Sequence, residues 1–171
     1  MNKKRHLSFG FSFGFELIEV IVGAAVITLS LAAIISMLLV TLRESLAAPA
    51  ELKAAALAEE GLEALRSLRN QSFASQIAAL SVDTPYHLSF AGGAWQVSLS
   101  GGYIDGEFDR TLLFESVYRR TSDSDIVDAA SPDTKALDAD ARKATVTVSW
   151  WEGNATSTVS AATYLNNLYD N

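Results

Sequence analysis

From Val20 to Leu42 the chain runs VIVGAAVITLSLAAIISMLLVTL, with no charged side chain. At 1.5 Å per residue such a stretch, if helical, extends about 34 Å, enough to cross a hydrocarbon core of roughly 30 Å. Inside lipid the backbone has no water to bond to, so the helix is the conformation this stretch must take. Gly23, Ala24, Ala25, Ala32 and Ala33 are small enough to let another helix approach closely. Lys3, Lys4 and Arg5 precede the run, whereas Arg43 and Glu44 cancel each other after it. The positive-inside bias then predicts a single-pass cell-membrane protein with a cytoplasmic N-terminus and the C-terminal part outside.

Two other readings compete for this segment. An ordinary secretory signal has an apolar core of about 7–15 residues and a small-x-small cut. Ala48-Pro49-Ala50 imitates that cut, but the apolar run is too long and ends too far from it. A plain uncleaved anchor fits better, apart from Glu19. A charge near the centre of a spanning helix costs about 2.5–3.5 kcal/mol on insertion scales, and less near an end, so a carboxylate here calls for a partner. If the chain is cut between Gly14 and Phe15, Phe15 gains an α-ammonium group four residues before Glu19, on the same helical face. In a bundle of identical staggered helices Glu19 would instead neutralise the amino end of the next subunit.

The basic leader, Gly14, the segment Phe15-Glu16-Leu17-Ile18-Glu19-Val20-Ile21-Val22 and the long apolar run together resemble the type IV pilin and type II secretion pseudopilin family. The resemblance implies a prepilin peptidase that cuts after Gly14 and methylates Phe15, with Glu19 as the assembly acid. Gly10 fits poorly as the cut site, because Phe15 would then stand fifth. Glu16 departs from the small hydroxyl residue common at the second position. The motif covers about the first 30 residues. What it implies about partners is other pilin subunits in a helical filament, the prepilin peptidase, an inner-membrane assembly platform, and membrane lipid before assembly.

After Arg43 the chain stays helix-friendly. Ala54, Leu57, Ala58, Leu62, Leu65 and Leu68 form an apolar stripe at helical spacing, and Glu63 and Arg66 are placed for an i,i+3 pair. Pro49 is expected to kink or interrupt the rod, and Gly61 to add a soft point. A helix from Phe15 to Asn70 would reach about 84 Å, lipid-compatible in its first half. LAEEGLEALRSLRN also resembles the corresponding helix of minor pilins.

Beyond Asn70 the period changes to two. Trp95, Val97 and Leu99 alternate with Gln96, Ser98 and Ser100, and Val146, Val148 and Trp150 alternate with Thr145, Thr147 and Ser149. Phe108–Arg119 and Thr156–Leu165 are further strand candidates. Gly92-Gly93 and Gly101-Gly102 mark turns, and Glu152-Gly153-Asn154 a hairpin. The expected fold is α+β: a long N-terminal helix, transmembrane in its first half, packed against an antiparallel sheet of four or so strands, the lollipop of pilins. Its divisions are a leader at 1–14, a membrane or filament-core helix at 15–42, an amphipathic helix at 43–70 and an exposed β-rich domain at 71–171. Asp109-Arg110-Thr111 and Tyr164-Leu165-Asn166-Asn167 loosely resemble strand ends of minor pilins.

Composition and motifs restrict the chemistry. There is no cysteine, which excludes disulfides, cysteine-rich zinc sites and a thiol nucleophile. The formal net charge is −7, and removing residues 1–14, with three of the thirteen basic residues and none of the twenty acids, makes it −10. An acidic body has no electrostatic drive toward phosphate backbones, so no nucleic-acid partner is expected. His6 lies in the leader and His87 at a strand start, and neither belongs to a metal or nucleophile motif. No catalytic residue, cofactor or metal site is assigned, and the chain is not read as an enzyme. Ser122–Asp140 reads as an acidic surface loop in which Asp123, Asp125 and Asp128 offer oxygens without EF-hand spacing. Arg119 and Arg120 read as a solvated strand end, and Trp151 points away from the Val146 face. The function expected is a structural subunit, most like a minor pilin. Two alternatives stay open: a pseudopilin for secretion or DNA uptake, and a membrane-tethered binding module.

Overall fold

The computed structural model describes residues 13–168, without the side chains of 13–16, 44 and 47. Lys3, Lys4, Arg5, His6 and the rest of the leader up to residue 12 lie outside the described residues. The chain divides into two compact units, before and after the Leu46–Ala47 bond.

A single helix, α1 (Phe13–Gln71), supplies the described part of the first unit. Pro49 was expected to kink or interrupt it, but the helix continues through that position. Proline removes one backbone donor, and the flanking turns keep theirs.

The second unit holds the end of α1, a π-helical turn (Ala74–Ala78) and six strands. These are β1 (Tyr86–Ala91), β2 (Ala94–Ser98), β3 (Asp109–Arg120), β4 (Ile126–Val127), β5 (Lys135–Glu152) and β6 (Ala155–Asn166). Four or so strands were expected, so six is a correction. All pair antiparallel in the order β2-β1-β3-β5-β6. β5 lies along one side of β3, while β1 and β4 share the other, at residues 111–112 and 118–119. Opposite Ser116 and Val117 the register jumps from Arg142 to Asp138, leaving Ala139, Asp140 and Ala141 as a bulge in β5.

Turn chemistry explains both hairpins. Gly92 and Gly93 take φ of 63° and 81° between Ala91 and Ala94, and Gly153 takes 63° between Glu152 and Ala155. Such tight two-residue loops require the left-handed backbone that glycine adopts without penalty. Gly101-Gly102, by contrast, is not a turn. The reversal falls at Asp105-Gly106, with φ of 51° and 72°, inside the Ile104–Phe108 bridge.

The core forms where the helical stripe meets the sheet. Ala54, Ala58, Leu62, Leu65 and Leu68 are buried in one cluster with Phe108, Leu112, Phe114, Val146, Val148 and Leu165. The stripe read from helical spacing is therefore the packed face, and Leu57 lies at its margin. Gly61 belongs to this face too. A Cβ there would lie 2.9 Å from Val146 Cγ1 and 3.3 Å from Arg110 Cδ, so glycine sets how closely helix and sheet approach. It is a contact point rather than the soft point its low helix propensity suggested. Val146, Val148 and Trp150 are buried as their alternation required, and Trp151 is exposed. Leu99 departs from the pattern of Trp95 and Val97: it lies beyond the end of β2 and is 69% exposed.

Candidate functional site

The first unit presents an exposed apolar surface. Val20, Leu29 and Met37 are each at least 70% exposed, and the other large apolar side chains to Leu42 are more than half exposed. The stretch is long and apolar enough to cross a membrane. Its four hydroxyl side chains are all satisfied by the helix itself. Thr28 donates to the carbonyls of Ala24 and Ala25, Ser30 to Val26, Ser36 to Ala32 and Thr41 to Met37, at 2.7–3.0 Å. Back-bonding to the preceding turn leaves no donor seeking water, which is the condition for a polar side chain to face lipid.

Glu19 has no such solution. It is exposed, and its carboxylate has no hydrogen-bond or ion-pair partner among the described residues. Gly14, Phe15 and Glu19 share one continuous helical segment. Phe15 and Glu19 stand four residues apart, about one turn.

In the second unit the arginines read as a solvated strand end are held instead. Arg119 Nε donates to Asp138 at 2.6 Å, and its Nη1 to the Ser124 carbonyl at 3.0 Å. Arg120 reaches Asp133 at 3.0 Å and Asp123 at 2.7 Å. Arg120 and a backbone N–H bond from Asp125 hold the Asp123 carboxyl below its ordinary value, the backbone bond being the larger cause. Asp133 is lowered too, first by Arg120 and then by the Ser131 hydroxyl. Lys135 Nζ donates to the carbonyls of Ala129 and Ser131, both at 2.5 Å. The segment 122–140, expected as a loop throughout, thus contains β4 and the first six residues of β5. Tethered cations occupy its oxygens, and no group of three or more ligating side chains stands ready for a metal among the described residues.

Arg110 carries a role that the sequence did not signal. It is 5% exposed, and its Nη1 donates to the Leu57 carbonyl at 3.1 Å and to Glu60 at 2.9 Å. Its guanidinium lies 5.4 Å from the Trp95 ring centroid. One side chain therefore ties β3 to α1 and β2. Position 110 is the inward-facing place in β3, where alternation predicts an apolar residue.

A cleft of about 610 Å³ opens where the Asp105 turn meets the β5–β6 hairpin. Tyr103, Glu107, Asp109, Trp150, Trp151 and Thr156 line it, with no basic residue. Tyr103 and Trp151 are each 70% exposed.

No family model, curated protein or solved structure matches this chain.

Proposed function

We propose that the protein is a structural subunit of a type IV pilus-like filament, cut after Gly14, methylated at Phe15 and assembled through Glu19. One observation carries the reading. In the exposed apolar stretch from Leu17 to Leu42, whose hydroxyls are internally bonded, Glu19 is the charged side chain, and it has no partner among the described residues. A carboxylate in that setting favours states that bring it a cation, and a free amino end at Phe15 on the same or a neighbouring helix is such a cation.

On this reading the precursor waits in the membrane with its leader in the cytoplasm. Proteolysis creates the cation, and the apolar helices then exchange lipid for one another as they enter the filament core. Staggers that leave Glu19 unpaired are disfavoured, so the acid selects register as well as assembly. The sheet domains, net acidic, stand on the outside. A minor pilin and a pseudopilin share these steps and differ in what the filament does.

The test is the Glu19→Ala variant expressed beside the unaltered chain. The expected result is normal abundance in the membrane with loss of incorporation into sheared filaments, by about tenfold or more for an unpaired charge contact of 1.4 kcal/mol or above. Incorporation at the level of the unaltered chain would leave a tethered β-domain as the better reading.

A further inference from the structure

Two asparagines in the chain have a hydroxyl residue two places on and no proline between: Asn70-Gln71-Ser72 and Asn154-Ala155-Thr156. This is the acceptor pattern for N-linked sugar, which calls for an exposed segment outside the membrane. As sequence the two triplets are equivalent. The fold separates them.

Asn70 lies in the last turn of α1. Its Oδ1 accepts from Arg69 Nε and Nη2 at 3.2 and 3.0 Å, and Ser72 Oγ accepts from the Ser75 N–H at 3.3 Å. The Ser72 N–H still bonds to the Leu68 carbonyl at 3.2 Å, so helical spacing carries through the triplet. Side chains two apart on a helix do not face each other. Both groups of this pattern are engaged and kept apart.

Asn154 stands instead at the tip of the β5–β6 hairpin, where Glu152 pairs with Ala155. Gly153 takes the positive φ that the first central position of a type II′ turn requires, which leaves Asn154 at the second. Asn154 and Thr156 are both exposed, and neither the amide nor the hydroxyl has a hydrogen-bond partner among the described residues. Ser157 Oγ donates to Glu152 at 2.7 Å across the turn, so the hairpin is pinned without using either acceptor group. A Cβ built on Gly153 meets no atom within 4 Å, so the tip has room for a bulky addition. Trp151 is 70% exposed and directly opposite Thr156 in the register. Its indole is apolar area that the C–H face of an attached sugar can cover.

We infer that Asn154 is an N-glycosylation site, with a polyprenyl-diphosphate-linked oligosaccharide as the sugar donor and a membrane oligosaccharyltransferase of the cell as the enzyme. In the transfer Asn154 Nδ2 attacks the anomeric carbon of the sugar. The N–C bond forms, the C–O bond to the diphosphate breaks, polyprenyl diphosphate leaves with the electron pair, and the amide gives up one proton. Nothing is oxidised or reduced. The inference rests on the proposed topology, with the second unit outside the membrane, and not on filament assembly.

The test is mass spectrometry of the protein extracted from the membranes of the cells that naturally produce it. Trypsin separates the two triplets, into peptides 70–110 and 144–171. The expected result is sugar mass on peptide 144–171, placed on Asn154 by fragment ions, and none on peptide 70–110. Thr156→Val removes the hydroxyl while keeping shape and strand preference, and is expected to lose the sugar at undiminished membrane abundance. Thr156→Ser is expected to keep it. Lys53, whose side chain is 44% exposed, is tested in parallel with a membrane-impermeant amine reagent on spheroplasts. A bare Asn154 with Lys53 labelled would overturn the proposal and leave the topology standing, whereas a bare Asn154 with Lys53 protected would overturn both. Sugar on peptide 70–110 at equal or higher occupancy, or sugar that survives Thr156→Val, would also overturn it.

Discussion

Arg110 pairs with Glu60 through a side chain only 4% exposed, while Glu60 is 49% exposed. The two ends of this pair therefore respond differently to deletion. Arg110→Met leaves a carboxylate that water already reaches. Glu60→Ala leaves a buried guanidinium with the Leu57 carbonyl as its remaining oxygen partner. Removing the partner of a buried charge costs about 3–5 kcal/mol, while an apolar replacement of the charge itself is often near neutral. Glu60→Ala is accordingly predicted to lower the unfolding midpoint more than Arg110→Met, measured by denaturant titration in micelles. The reverse order would mean that Arg110 acts mainly through its packing against Trp95. Gly61 gives a second residue-scale prediction. Alanine has the higher helix propensity by about 1 kcal/mol, but its methyl would lie 2.9 Å from Val146 Cγ1 and 3.3 Å from Arg110 Cδ, closer than side chains normally pack. Overpacking costs typically 1–3 kcal/mol, so Gly61→Ala is predicted to destabilise, read as a lower thermal midpoint. Neither residue could be read from the chain alone. Helical spacing identified Ala54, Leu57, Ala58, Leu62, Leu65 and Leu68, because apolar periodicity reports which face is buried. It says nothing of a glycine needed for close approach, nor of an arginine whose partners lie fifty or more residues away.

At the scale of elements, the segment joining β3 to β5 is organised by charge. Asp123 and Asp133 both have folded carboxyl values below the ordinary 3.8. A depressed value means stability that is fully present above pH 3.8 and is lost as pH falls through the folded values. Amide hydrogen exchange between Thr121 and Thr134, corrected for its intrinsic pH dependence, is therefore predicted to show constant protection from pH 8 to about 5 and loss of it below about 3.8. Arg120→Gln should remove most of that acid dependence for Asp133, since Arg120 is its largest cause. It should remove less for Asp123, whose largest cause is the backbone bond from Asp125. An acid transition unchanged by the variant would assign the effect to other carboxylates. The same segment shows why its strands were missed. A run rich in Asp and Ser, with one Pro, reads as loop by composition, yet Lys135–Asp138 extends a ladder already set by β3. Tertiary pairing overrides local propensity there. Where alternation was strong, as at Val146, Val148 and Trp150, the strand and its buried face were both legible. At the Asp105-Gly106 turn the visible glycine pair drew attention to positions 101–102 instead.

At the scale of the whole molecule, the chain joins two units with opposite surfaces. Among the described residues one exposes mainly apolar side chains, and the other gathers most of its apolar residues in a core beneath an acidic, hydroxyl-rich exterior. Placing the first in lipid and later among its own kind would account for its exposure, its self-bonded hydroxyls and the acid Glu19 near its head. That account depends on the amino group that proteolysis would create at Phe15, because nothing else near Glu19 in the sequence is cationic. Mass spectrometry of the N-terminal peptide from membrane-extracted protein tests it most directly, in cells with an active prepilin peptidase. A chain beginning at N-methylated Phe15 is the predicted result. An N-terminus still at Met1, with the leader attached, would contradict it.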